Sequence, residues 1–421
     1  MAARQGLIKA RPAMHNLDKQ PTSEADIASL GEKIRNGELS PVDLVNACLA
    51  RIEALQPQLN AFITVTAESA LEAARVAQAE IQFGKWRGPL HGIPVAIKDF
   101  YDTADVRTTA AFVHFKGRVP KKDATAVGKL KSAGAIILGK TNMHTLGMGT
   151  TGLESAFGPP VNPWNAHYIP GGSSSGSAVA IATGMCYATL DTDAIGSARL
   201  PAACCGVVGF KGTYGLIDLE GILAGEQPPG EEILWLGHAG IMARNVQDAA
   251  LVLDVLADVP DLGTQRHLRL GIASNAKPPK SLARFYDEAT QVLRNLGHEV
   301  LELPAPMVEP NRGIAKIAEE RRAIRAGAFS EVDVFVLPTI PDATPTVAAC
   351  GKNPLALSPA YTVFANYYGL PAITVPCDND PSGLPLGLQF VGAPQEDRAV
   401  LQVAREYARS APFGKRSITP Q

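Results

Sequence analysis

Short uninterrupted apolar runs alternate with amphipathic helical segments along nearly the whole chain, and that alternation narrows the fold to layered α/β. Strands buried on both faces read as continuous apolar stretches, and helices packed over them form the outer layers. Ser23 precedes a periodic segment with Ile27, Leu30 and Ile34 on one face, closed by Asn36-Gly37. Ser40-Pro41 predicts a helix start, a hydroxyl cap followed by proline at the first helical position. A third helix is predicted over Ala67–Ile81. The run from Gly92 to Lys98 reads as a buried strand ending in a charge. Asp123 is expected to cap a helix through Leu130, Gly134 to stop it, and Ala135–Leu138 to be the next strand. Further strands are predicted over Met185–Leu190, Gly206–Lys211, Leu268–Ile272, Glu299–Glu302, Val334–Leu337, Ala372–Pro376 and Pro385–Val391. No repeat or linker divides the chain, which predicts one domain over residues 21–421 behind a loose arm at 1–20.

The bulk numbers exclude several functions. A net charge of −2 over 421 residues gives no basic face for nucleic acid or an anionic membrane. No stretch approaches the roughly 20 apolar residues of a membrane span. The N-terminus lacks the apolar core of a secretory signal, which points to the cytoplasm. The 6 cysteines show no metal-ligand spacing and read as buried free thiols, so no metal is expected.

Three segments could carry chemistry. Lys98 is flanked by Ile97 and Phe100. Lost hydration would make it a neutral base near pH 7, whereas an ordinary strand-end lysine would reach out to solvent. Gly171-Gly172-Ser173-Ser174-Ser175-Gly176-Ser177 lacks the lysine of a phosphate loop. It formally fits Gly-x-Ser-x-Gly, but the prolines before it cannot form the strand that such an elbow needs. A plain flexible loop is the other reading. Asp191 to Pro201 follows a strand and places Ser197 in a turn whose N–H groups could converge on an oxyanion; it is also an ordinary strand exit that Pro201 should end.

Taken together, Gly92-Ile93-Pro94 with Lys98-Asp99, then Gly171-Gly172-Ser173-Ser174, then Asp193, Gly196-Ser197, Arg199 and Pro201 resemble the amidase signature family in order and spacing. Gly139-Lys140-Thr141-Asn142-Met143, Asn162-Pro163-Trp164, Leu337-Pro338-Thr339 and Gly369-Leu370-Pro371 extend the resemblance over most of the chain. It implies a single-domain α/β/α sandwich around a large mixed, mostly parallel twisted sheet, with the signature core at about 88–215. It also implies a Ser–Ser–Lys triad. Ser197 would be the nucleophile, Ser173 a bridging serine on a cis peptide and Lys98 the base. The N–H groups of Ala194, Ile195, Gly196 and Ser197 would form the oxyanion hole, supported by Ser174, Asp193 and Arg199. No cofactor is implied.

The resemblance points to an amidase that hydrolyses a small or aryl carboxylic amide through an acyl-enzyme, releasing ammonia or amine. The alternatives are the glutamine-hydrolysing subunit of a tRNA-dependent amidotransferase, a catalytically impaired binding homologue and an esterase acting through Ser174. The expected partner is the small amide itself, with a homodimer as the default assembly. The chain departs from the family at Ile195, where a small or polar residue is usual and a β-branched one tolerates positive φ poorly. Ala198, Gly212 and His144-Thr145 are further departures. The segment 303–332 is short, which predicts a more open or differently covered pocket. Arg321, Arg322 and Arg325 within it read either as contacts for an acidic substrate or as a solvated helix face.

Overall fold

A computed structural model describes residues 25–259, 266–309 and 312–411. The expected arm at 1–20 and the Ser23 helix start lie outside them. Eleven strands form one sheet: β1 (Phe62–Val65), β2 (Pro94–Lys98), β3 (Ile136–Thr141), β4 (Ala188–Asp193), β5 (Val208–Lys211), β6 (His238–Ala243), β7 (Arg269–Ala273), β8 (Glu299–Leu303), β9 (Val334–Pro338), β10 (Ala372–Asn379) and β11 (Pro385–Gly392). Their spatial order is β1-β3-β2-β4-β6-β5-β10-β11-β9-β7-β8. The sheet is mixed, as expected, and helices cover it on both sides. Parallel pairs are not its majority, however: β2–β3, β2–β4, β7–β8 and β7–β9 are parallel and the other six ladders antiparallel. The reason is the middle of the sheet, where every ladder from β4 through β6, β5, β10 and β11 to β9 is antiparallel.

The sequence signals act as physical devices. Ser40 accepts hydrogen bonds from Val42 N and Asp43 N to start the helix Pro41–Leu59. Asp26 caps the helix Ile27–Arg35 by accepting from Ser29 N. Asp123 does not cap the helix Thr125–Ser132; its carboxylate accepts from Ala104 N and the Lys131 amine instead. Pro201 does not end the 197 turn either. It is the third residue of the helix Arg199–Cys205, in the first turn, where a missing N–H costs nothing. β6, His238–Ala243, is a strand absent from the predicted set.

One topological feature positions the site. The chain passes from β2 to β3 on one side, then returns to place β4 on the other. Crevices at the carboxyl ends of strands form where neighbouring connections leave in opposite directions. β2 and β4 run parallel, Ile97 pairing with Leu190, so Lys98 and Asp193 end near each other. The helix Ser175–Ala182 lies across this point. Its Gly176 must be glycine, since a Cβ there would lie 2.3 Å from the Ala61 carbonyl and 2.6 Å from Asn142 N.

Candidate active site

Lys98 ends β2 with no solvent exposure. Its Nζ donates to Ser173 Oγ at 2.7 Å and to Thr192 Oγ1 at 2.8 Å. Burial lowers its pKa from 10.5 to about 8, against the opposing pull of Asp191 and Asp193. It is therefore not a lysine reaching out to water. The Gly172–Ser173 peptide is cis. Ser173 is 1% exposed, and its carbonyl accepts from His144 N at 2.9 Å.

Ser197 is 4% exposed, in the turn between β4 and the helix Arg199–Cys205. Its carbonyl accepts from Ser174 N at 3.1 Å, which ties this turn to the residue after Ser173. The Ser174 hydroxyl points to the Thr192 carbonyl at 3.5 Å and also bears on the Asp191 carboxyl. Among the described residues, no hydrogen bond joins the Ser173 and Ser197 hydroxyls directly.

Asp193 and Arg199 shape the turn. Arg199 donates to both Asp193 oxygens, at 3.0 and 2.9 Å, with both side chains fully buried. Burial opposes ionisation of Asp193, but Arg199, Lys211 and Asn366 outweigh it and hold the carboxyl well below its usual range. Gly196 N also donates to Asp193, at 2.8 Å, and Ala198 N does so at 3.1 Å. The Gly196 N–H is thus turned inward onto a carboxylate, the strongest acceptor in reach, and not toward an oxyanion. Among the described residues the N–H groups of Ala194, Ile195 and Ser197 carry no hydrogen bond. Gly196 takes the positive φ of +129°, and a Cβ there would lie 2.5 Å from Thr362 Oγ1. Ile195 escapes that conformation, so its branched side chain meets no backbone conflict.

Several partners have no local signal in the sequence. Arg199 also reaches Asn366 Oδ1 at 2.6 Å, Gln389 Oε1 at 2.6 Å and the Thr362 carbonyl at 3.0 Å. Asn366 returns a bond to Asp193, and Thr362 Oγ1 donates to the Ile195 carbonyl. Thr192 was readable only as part of the Asp191-Thr192-Asp193 run. His144 is buried; burial lowers its pKa, Glu154 raises it and Lys98 lowers it. Arg321 fits neither reading given to it. It donates to the carbonyls of Trp235, Asn366 and Tyr367 and stacks 4.1 Å from the Tyr214 ring. Among the described residues, no three His, Cys, Asp or Glu side chains converge to hold a metal.

A buried lysine hydrogen-bonded to a serine at the carboxyl ends of parallel strands is a set of groups that an amide hydrolase can use, and comparison with known families agrees. The family model described as Amidase matches residues 43–311 and 311–401, so the chain belongs to the amidase family. The match breaks at residue 311, inside the segment read as short. A glutamyl-tRNA(Gln) amidotransferase subunit from Prochlorococcus marinus (strain NATL2A) is 32% identical over 475 residues, spanning 91% of this chain and 96% of that protein. The peptide amidase of Stenotrophomonas maltophilia superposes with a TM-score of 0.79 at 27% identity, covering 95% of this chain and 99% of its own. A 6-aminohexanoate cyclic dimer hydrolase gives 0.81 at 25% identity, covering 94% and 98%. No helix among the described residues is long and apolar enough to cross a membrane.

Proposed function

We propose that this chain hydrolyses the C–N bond of a linear carboxamide through an ester on Ser197. The observation that carries the reading is the hydrogen bond of 2.7 Å between Ser173 and a fully buried Lys98. A lysine with a pKa of about 8 is partly neutral under ordinary conditions and can act as a base. Thr192 accepts one amine hydrogen and so turns the nitrogen lone pair toward Ser173. Lys98 takes the Ser173 proton as Ser173 takes that of Ser197, and Ser197 Oγ attacks the carbonyl carbon. The relay requires the two serine hydroxyls to meet once substrate is bound; such bonds commonly tighten only in the Michaelis complex. The N–H groups of Ala194, Ile195 and Ser197 receive the oxyanion. Ser173 returns the proton to the leaving nitrogen, the C–N bond breaks, and water cleaves the ester by the same relay.

A second reading concerns the amide donor. The relatives named as glutamyl-tRNA(Gln) amidotransferase subunits favour glutamine, with the ammonia used by a partner chain. The break in the match to the Amidase model at residue 311 does not separate the two donors. The chemistry at Ser197 is common to both.

The test is ammonia release across a panel of amides that includes glutamine, run with Ser197→Ala and Lys98→Ala beside the parent. Both variants should lose at least about a thousandfold in kcat/KM, as expected when an essential unit is broken. Parent-like turnover by either would sink the mechanism. Release from glutamine alone, with a copurifying partner, would select the second reading.

A further inference from the structure

Asp191 is a buried acid that the proposed mechanism does not use. It lies in β4 one residue before Thr192 and two before Asp193, with no solvent exposure. In the parallel register Ile97 faces Leu190, so the next residues along the two strands are Lys98 and Asp191. Thr189 Oγ1 donates to Asp191 Oδ2 at 2.6 Å, and Tyr101 Oη donates to the Asp191 carbonyl at 2.7 Å. The other carboxylate oxygen, Oδ1, is buried without a hydrogen-bond partner. A buried carboxylate with one empty oxygen is costly, and such a group normally has a compensating charge in contact. Among the described residues none touches it.

The surroundings identify the charge it works against. Burial raises the Asp191 pKa, and the largest opposing influence is Lys98, followed by the hydroxyls of Ser177, Thr189 and Ser174. Two carboxylates act in turn on Lys98, Asp191 and Asp193. Asp193 is bound to Arg199, so much of its field is cancelled locally. Asp191 has no such partner, and its field on Lys98 is not cancelled in that way. The other titratable groups around Asp191 are Tyr101, which follows β2, and Cys186, which precedes β4. Burial pushes both well above their usual range, so they stay neutral. β6 presents Gly240 opposite Asp191, with no side chain. His144 bears on Lys98 from the loop after β3.

We propose that Asp191 is a positioning residue for Lys98: its carboxylate holds the proton on that lysine and so fixes where the acid limb of activity falls. The inference rests on Lys98 serving as the base. A neutral side chain at 191 lets Lys98 lose its proton at lower pH, and an opposite charge at close range is typically worth about 1–3 pH units.

The experiment measures the rate at which a fluorophosphonate modifies Ser197 between pH 5 and 10, each profile scaled to its own plateau. Asp191→Asn should move the acid limb down by about one unit or more, and Asp191→Glu should restore it toward the parent. Asp191→Ser serves as a second neutral variant if the asparagine form does not fold. A folded neutral variant whose limb coincides with the parent's overturns the proposal, as does a glutamate variant that shifts as far as the neutral ones. Failure of the underlying reading looks different: Ser197→Ala would then be modified as fast as the parent.

Discussion

Replacing Arg199 with methionine tests the bonds that shape the 193–197 turn. The guanidinium is fully buried and serves both Asp193 oxygens, Asn366, Gln389 and the Thr362 carbonyl. Methionine keeps an apolar stem and removes every donor. Taking one partner from a buried ion pair costs about 3–5 kcal/mol, because the other charge is left without compensation. Asp193 would keep Gly196 N, Ala198 N and Asn366 as donors, which favours the lower end, about 3 kcal/mol. Adding Asp193→Asn removes the orphaned charge, so the double variant should recover about 1–3 kcal/mol over the single one. The sign with pH also changes. The depressed pKa of Asp193 stabilises the parent above the unfolded value and is lost as pH falls through the folded one. In Arg199→Met burial dominates, so the folded carboxyl takes up a proton first and the deficit shrinks as pH falls toward about 4. Urea midpoints at pH 7 and pH 5 read all of this. A single variant within about 1 kcal/mol of the parent, or a double variant less stable than the single, would refute the reasoning.

Other outcomes follow from the same residues. The acid limb of kcat/KM should centre near pH 8, where Lys98 loses its proton; a midpoint below pH 6 would point to a carboxyl or histidine base. Lys98→Met should be inactive yet more stable by up to about 3 kcal/mol at pH 7, the cost of burying an amine whose pKa falls from 10.5 to about 8. That gain should vanish above pH 10.5; an equally destabilised variant in urea would contradict it. Gly149→Ala should destabilise the loop before the cis peptide, since its Cβ would lie 2.3 Å from the His144 ring; an unchanged midpoint would show that the ring gives way freely. All 6 cysteines are buried, with Cys48 and Cys204 pushed up to about 12, so a thiol reagent should react only after unfolding.

Local signals were readable where a residue acts on its own neighbourhood. Ser40-Pro41 starts a helix by itself, and the apolar run before Lys98 can only be a buried strand. Signals failed where the compensating group is distant. The strand predicted to end at Leu190 runs on to Asp193, because Arg199 and Lys98 offset charges that otherwise read as a surface exit. The β6 run His238–Ala243 is fully buried, although it is absent from the predicted strands. Asn366 and Gln389 carry no hint of their task, lying 167 and 190 residues beyond Arg199. The position of Lys98 was legible from sequence. Its solvent exclusion was not, since that depends on groups 75 and 94 residues away, Ser173 and Thr192, closing on its amine.

The span between Arg199 and its acceptors Thr362, Asn366 and Gln389 bears on biosynthesis. While the ribosome is still making the last strands, the 193–197 turn has emerged but lacks Thr362, Asn366 and Gln389. The nascent chain then holds an unbraced turn and an arginine with too few acceptors. Competence should arrive late, when residue 389 clears the exit tunnel, and a truncation before β11 should be silent even though it contains every group of the relay.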